Sequence, residues 1–508
     1  MTTLTLVTPS KENRQIRRKI TTVSTYTFTT AFIWLLIVPK LTASIPKANG
    51  LWSEYVGSWI VHHHYSIPNH VTGIWTSNGQ AWKPQEWLFE ILIYWLNHLW
   101  GYTGVIMFAA AMVTTTCVLV MLLMKKMGRP YAPIWGVVTA LGLIPWIQIR
   151  PDVISFVLLM LELYVLQVVR TSSKALWYLA PIMLLWANVH GSFLLGIVVV
   201  FALAVVEAIP TFEAGWMKHS QNTTVAQRFM LGGVIMVATS MLNPQGAHLY
   251  VFALWLSFKS GISHLIMEWQ PSVITSPTTM NVLFYVCLVV LARSLSKSKI
   301  DPLQVLIFGG VLYAFAKSVR FGCYVSLLLP YVFALPSVVE FKFGSDLRRA
   351  RVWLNKKTSS ISAAVYPWIT LTVASFSIVP LSSVKGNLLQ NAPVSANPTE
   401  IIATLSQIHR LHPSWMIWND YSLGGALEVE NLPASIDGRT EIYLKNGFMK
   451  DYNEAYFATS KALSVMDRYR PNIVVLNSTA PLLTLLKVTH GWKVVQTAQG
   501  YTIMDNNW

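Results

Sequence analysis

The sequence predicts an α-helical polytopic membrane protein, with about 11 transmembrane helices and a small C-terminal α/β domain outside the cell membrane. Three observations carry that expectation. Of the 508 residues, 53% are hydrophobic and only 12% are charged, about half the charge of a soluble domain. The apolar residues gather in runs near spanning length. Lysine and arginine are spread unevenly over the segments between those runs.

Residues 1–22 form a basic, cytoplasmic N-terminus with Lys11, Arg14, Arg17, Arg18 and Lys19 ahead of the first apolar run. No small-x-small cleavage site follows that run convincingly, so it reads as an uncleaved first span. Runs able to span lie near 23–46, 102–124, 132–149, 152–169, 176–190, 192–210, 228–243, 277–295, 302–316, 319–340 and 361–382. Several are short, which packed helices tolerate. Together they define a multi-spanning domain over 23–384 with a long first outside loop at 47–101. Within that loop, 86–99 is apolar but too short to cross and reads as a helix lying in the interface. The segment 243–271 is too polar to span throughout.

From about 385 the periodicity changes. Short strands are expected at 416–418, 435–437, 473–476 and 494–497, and helices at 398–410 and 482–489. Asn, Asp, Gly and Pro punctuate them, as in a compact soluble α/β domain over 385–508.

Orientation follows from the basic residues. With the N-terminus in the cytoplasm, cytoplasmic segments hold 21 Lys and Arg and outside segments up to residue 384 hold 7. That is the bias of short loops, and it puts the first loop and the C-terminal domain outside. The net charge of +16 does not point to nucleic acid. The basic residues alternate with apolar runs instead of forming one stripe, and fit topology and anionic lipid. Cys117, Cys287 and Cys323 all lie inside apolar runs, so no disulfide is expected.

Ionisable groups close to a bilayer are costly and mark candidate sites. Glu54, Glu86 and Glu90 lie on the first outside loop near His62, His63, His64 and His70. A carboxylate there could act as general base; Glu86 and Glu90, at i and i+4, could equally be the wet face of an interfacial helix. The histidines lack metal-ligand spacing; no cofactor is certain, though a divalent metal has room. Gln148-Ile149-Arg150-Pro151-Asp152 offers Arg150 for a phosphate, or an Arg150–Asp152 pair capping two helices. Asn188, His190 and Ser192 form a polar cluster at another outside junction, or a hydrogen-bonded tight turn. Lys317 and Arg320 stand against the charge bias, as phosphate contacts or snorkelling ends. In the tail, Asp437 and Arg439 could grip a sugar or each other.

At these residues the chain resembles bacterial polytopic membrane proteins related to GT-C type glycosyltransferases, which depend on polyprenyl-phosphate sugars. The marks run nearly end to end: Ser66-Ile67-Pro68, Gln85-Glu86-Trp87-Leu88-Phe89-Glu90, Gln148-Ile149-Arg150-Pro151, WANVHGSFLLG at 186–196, Asn243-Pro244-Gln245-Gly246, Glu268-Trp269-Gln270-Pro271, Val319-Arg320-Phe321, and the stretches 419–425 and 436–443. The resemblance implies a polyprenyl-phosphate sugar donor, a glycan or lipid acceptor, and an acidic catalytic residue on the first outside loop. Relatives often carry aspartates near the first Trp and after Ile-Pro. This chain has Lys47-Ala48-Asn49-Gly50-Leu51-Trp52 and Ile67-Pro68-Asn69-His70-Val71-Thr72 instead, which leaves Glu54 or Glu86 for that role.

The expectation is therefore a multi-pass GT-C type glycosyltransferase serving the cell envelope. Glu54 or Glu86 would be catalytic, and Arg150, Asp152, Asn188, His190, Arg320, Asp437 and Arg439 would hold phosphate or substrate. Its rival is a non-catalytic GT-C-like scaffold or accessory subunit of envelope polysaccharide assembly. A transporter is disfavoured by the few charges inside the spans.

Overall fold

The computed structural model describes residues 11–42, 51–129, 132–214, 217–262, 267–294, 301–333, 398–489 and 491–506. The expected apolar run at 361–382 and the stretch 47–50 lie outside them.

Apolar runs become helices. In order these are α1 (Lys11–Thr42), α2 (Leu51–His62), α3 (Trp87–Lys126), α4 (Ala132–Leu143), α5 (Asp152–Val169), α6 (Leu179–Val189), α7 (Phe193–Ala208), α8 (Thr223–Ser240) and α9 (His248–Phe258). Helices Pro277–Ser294, Pro302–Lys317 and Gly322–Phe333 follow. Most match an expected run to within a few residues. Helix α9 falls inside the polar segment 243–271. Among the described residues, α3 and α5 are long and apolar enough to cross a membrane, and five other apolar helices are shorter. Their mutual faces form one large core that includes Phe156, Trp186, Phe193 and Phe229. Cys117 and Cys323 are buried, Cys287 is exposed, and all three thiols are free.

Helix α3 joins two pieces that the sequence separates. The interfacial segment 86–99 and the run 102–124 follow each other through a kink at Gly101, with φ 63° and ψ −171°. That region is open essentially to glycine alone. The segment thus turns sharply before the long apolar run begins.

The C-terminal part builds a small sheet of β3 (Ile417–Asn419), β4 (Ile473–Asn477), β5 (Trp492–Ala498) and β6 (Tyr501–Asn506), after a two-stranded β1–β2 hairpin (Phe212–Ala214, Met217–His219) earlier in the chain. The order is β3-β4-β6-β5. Strands β3 and β4 run parallel, while β6 is antiparallel to both neighbours. The expected strand at 435–437 does not form. Its N–H groups are met by a side chain instead: Asn419 Oδ1 accepts from Ser435 N at 2.7 Å and from Ile436 N at 3.4 Å. Strand β6 takes its place in the sheet.

The first loop and the tail share one core. Val56, Ile60, Val71, Ile74 and Trp82 are buried in the same cluster as Trp418, Leu427, Ile436 and Tyr443. Ile74 forms a parallel bridge with Ala434. The indole of Trp75 donates to Ile417 O at 3.0 Å, and Thr76 Oγ1 donates to Ser435 O at 2.5 Å. Glycines make this approach close. A Cβ on Gly424 would stand 2.0 Å from Ile436 O within the tail itself, while one on Gly425 would stand 2.4 Å from Trp52 N. Gly438 has the same relation to the indole of Trp52, at 2.4 Å. The two glycine-rich tail signatures therefore serve as packing surfaces for α2.

Candidate functional site

Four segments bring charged side chains to one place. The residue just before α3 is Glu86. Arg150 and Asp152 flank the start of α5, His190 ends α6, and Arg320 sits in a short 3-10 turn, Val319–Phe321. His190 is the hub. Its Nε2 lies 3.4 Å from Arg320 Nη2, 3.6 Å from Asp152 Oδ1 and 3.8 Å from Glu86 Oε1. Arg320 Nη2 donates to Asp152 Oδ2 at 3.2 Å, and its guanidinium rides over the Trp269 ring at 5.2 Å.

Behind the hub is a hydroxyl network. His190 Nδ1 lies 2.9 Å from Ser155 Oγ and 2.7 Å from Ser192 Oγ. The Trp186 indole N–H lies 3.1 Å from each of those oxygens. The imidazole is thus fixed on its Nδ1 side and offers Nε2 to the charged groups.

Arg150 and Asp152 do not pair with each other. Arg150 Nη1 donates to Glu268 Oε2 at 2.6 Å, while Asp152 takes Arg320. Residues two apart at a helix start do not face one another, so each finds a partner from another segment.

Glu86 exposes 13% of its side chain. Burial pushes its pKa up to about 8; Arg320 and Arg150 pull it down, and Asp152 and Glu441 push it further up. Glu90, one turn on, is not on a wet face. It is 1% exposed, and neither carboxylate oxygen has a hydrogen-bond partner. Helix α2 packs tightly on the backbone of this turn: a Cβ on Gly57 would come 2.1 Å from the main-chain oxygen of Glu90. Burial, and then the charge of Glu86, hold its pKa well above the ordinary carboxylate range.

The other expected residues lie elsewhere. Glu54 sits on α2, accepts from Asn97 Nδ2 at 2.5 Å and lines a separate cavity. Asn188 is used up in packing: Oδ1 accepts from Trp87 Nε1 at 3.0 Å, and Nδ2 donates to Leu184 O at 2.8 Å and Leu242 O at 3.0 Å. Asp437 and Arg439 hold each other, with both side chains at 0% exposure. Arg439 Nε meets Asp437 Oδ2 at 2.5 Å, Nη2 meets Glu428, and the guanidinium lies 5.1 Å over the Trp82 ring. Of their two expected uses, a sugar grip and a mutual grip, the geometry realises the second, because a charge pair withdrawn this far from solvent must be satisfied internally.

Sequence reasoning missed Glu268 and Glu441 as members of the site. Glu441 comes from the tail, accepts from Trp82 Nε1 at 3.0 Å, and its charge pushes the pKa of Glu86 up. Both lie in stretches that carry the resemblance, 268–271 and 436–443, but no local pattern assigns them to this group, because their partners are far away in the chain.

A divalent metal does not fit this arrangement. The Arg320 guanidinium stands against Asp152 and His190, where a cation would need ligands. Among the described residues no three His, Cys, Asp or Glu side chains are placed to hold one.

The fold has solved counterparts. The chain superimposes on the archaeal oligosaccharyltransferase AglB from Archaeoglobus fulgidus, in complex with an inhibitory peptide and a dolichol-phosphate, with a TM-score of 0.56. Identity is 11%, and the match covers 97% of this chain and 75% of that one. The Archaeoglobus fulgidus oligosaccharyltransferase tethered to an acceptor peptide containing the NVT sequon gives a TM-score of 0.54 at 10% identity, over 96% and 74% of the two chains. At these identities the likeness is one of fold. The chain is mostly helical with a small sheet region near its C-terminus, and it has the GT-C fold. No family model and no curated protein matches it.

Proposed function

We propose that this protein is a multi-pass membrane glycosyltransferase of GT-C type, moving a sugar from a polyprenyl-phosphate donor to a cell-envelope acceptor. The observation that carries the reading is the grouping of Glu86, pushed up to about 8, with the Arg320–Asp152–His190 set. A base is most useful when its pKa lies near the working pH. Glu86 takes the proton of the acceptor hydroxyl as that oxygen bonds to the sugar's anomeric carbon. The bond from that carbon to the donor phosphate breaks, and Arg320 and Arg150 receive the charge left on the phosphate oxygen. Asp152 and His190 hold Arg320 in position. The archaeal enzyme solved with a dolichol-phosphate supports a lipid-phosphate donor.

The test is sugar transfer from a labelled polyprenyl-phosphate sugar in proteoliposomes. Glu86→Gln lowers turnover at saturating acceptor by about 10²–10⁴-fold. The wild-type rate rises with pH and levels above about 8, since Glu86 works only as carboxylate. Full activity in Glu86→Gln removes the proposal.

One observation favours the scaffold reading. Arg150 and Arg320 each already hold a carboxylate, so a phosphate must compete for them. No transfer with any donor, together with retained binding of envelope glycan, selects the scaffold.

A further inference from the structure

A cavity of about 280 Å³ lies where α2, the first part of α3 and the helix Gly424–Val429 meet. The rings of Tyr55, Trp59 and Tyr94 line it, together with the polar side chains of Glu54, His62 and Asn431. None of these belongs to the group around His190.

The lining is held in place before any ligand arrives. Trp59 stacks on His63 with centroids 3.9 Å apart and planes at 11°. Tyr94 stacks on His98 at 5.7 Å and meets His62 edge-on at 5.8 Å. The Tyr55 hydroxyl is hydrogen-bonded to Thr72, and Glu54 is anchored by Asn97. Asn431 is in the left-handed region, φ 56°, which asparagine tolerates, just past the end of the helix. Such preorganisation lowers the cost of binding.

The chemistry selects a class of ligand. Among the described residues no lysine or arginine lines the cavity, so a phosphate finds no counter-charge among them. Flat aromatic faces suit the C–H faces of a pyranose, and a carboxyl and an amide suit its hydroxyls. The volume falls just below the roughly 300–1,000 Å³ of pockets for drug-sized ligands. It fits one sugar ring better than a lipid tail or a long chain.

We propose that this cavity binds a single neutral sugar unit of a glycan, on Trp59 and Tyr94 with hydrogen bonds to Glu54 and Asn431. The binding itself stands on the lining alone. That the bound unit belongs to the acceptor rests on the transferase reading, to which the cavity adds a second hold on the growing chain.

Saturation-transfer NMR on the full chain in nanodiscs tests it, with the methyl glycosides of glucose, galactose, mannose and N-acetylglucosamine as probes. At least one probe receives saturation on its ring C–H protons. Trp59→Ala, Tyr94→Ala and Glu54→Gln each weaken binding by about tenfold, near 1.4 kcal/mol. Tyr94→Phe, which keeps the ring, and Glu86→Gln leave it intact. Glu86→Gln therefore separates the two readings, because it loses transfer and keeps this binding. Melting temperatures identify any variant that fails to fold, and Tyr94→Phe and Glu54→Gln change no more than a hydroxyl or a charge. No saturation with any probe overturns the inference, as does binding unchanged in Glu54→Gln or lost in Glu86→Gln.

Discussion

A carboxyl group withdrawn from water stays protonated unless a cation stands beside it. Glu86 and Glu90, one helical turn apart, are both raised, Glu86 to about 8 and Glu90 well above the ordinary carboxylate range. Glu86 has Arg320 and Arg150 within electrostatic reach; Glu90 has no hydrogen-bond partner and the charge of Glu86 as its neighbour. The pKa of Glu90 in the folded state lies well above its unfolded value. Its contribution to stability is therefore complete below the ordinary carboxylate range and is lost as pH rises toward the folded value. Glu90→Gln keeps the shape and removes the titration. Melting temperature from pH 5 to pH 9 then falls less steeply in the variant than in wild type; parallel curves disprove the assignment. In the sequence Glu90 has two readings, base or wet face, because i, i+4 spacing fixes a helix face without saying what covers it. Helix α2 packs against that turn, with Gly57, 33 positions upstream, close on the main-chain oxygen of Glu90. The same limit hid Glu268, which meets Arg150 across 118 positions. Arg150, Asp152, His190 and Arg320 stood out in sequence because each is an ionisable group at the edge of an apolar run.

Among elements, apolar helices were the easiest to read, since length and composition define them without a partner. The tail was harder. Helices at 398–410 and 482–489 have counterparts in Thr399–Leu411 and Pro481–Lys487, and three of four expected strands formed. The failure at 435–437 has a physical cause: that segment bonds to the Asn419 amide and to the first loop, neither of which a local pattern reveals. Gly425 and Gly438 stand in close contact with α2 at Leu51 and Trp52, and Gly424 packs against Ile436 and Asp437 inside the tail. Gly425→Ala tests this seam. The added methyl overlaps Trp52 N of α2, where the backbone cannot give way cheaply, and costs about 1–3 kcal/mol. Limited proteolysis in detergent reads the result as faster cutting between the tail and the helical part. An unchanged digestion pattern and melting temperature show that the seam does not hold the tail.

The whole molecule is ordered by one relation: the first loop, the charged group and the tail all lie toward the same end of α3. Trp87 begins that helix and Lys126 ends it. The straight part beyond Gly101, residues 102–126, rises about 37 Å, enough to cross a hydrocarbon core of about 30 Å. Lys125, Lys126 and Arg129 therefore sit on the side opposite Glu86 if α3 crosses the bilayer. The charge bias assigns that far side to the cytoplasm, and the core shared by first loop and tail carries the tail with Glu86. In a background with Cys117, Cys287 and Cys323 replaced by serine or alanine, single cysteines report the sides. A cysteine in place of Lys461, which exposes 65% of its side chain, reacts with a membrane-impermeant maleimide in intact cells. A cysteine in place of Lys126 reacts only after permeabilisation. The opposite result inverts the molecule and places the Glu86 group in the cytoplasm, where an extracytoplasmic envelope acceptor cannot reach it. Equal labelling of both positions in intact cells means that α3 does not cross.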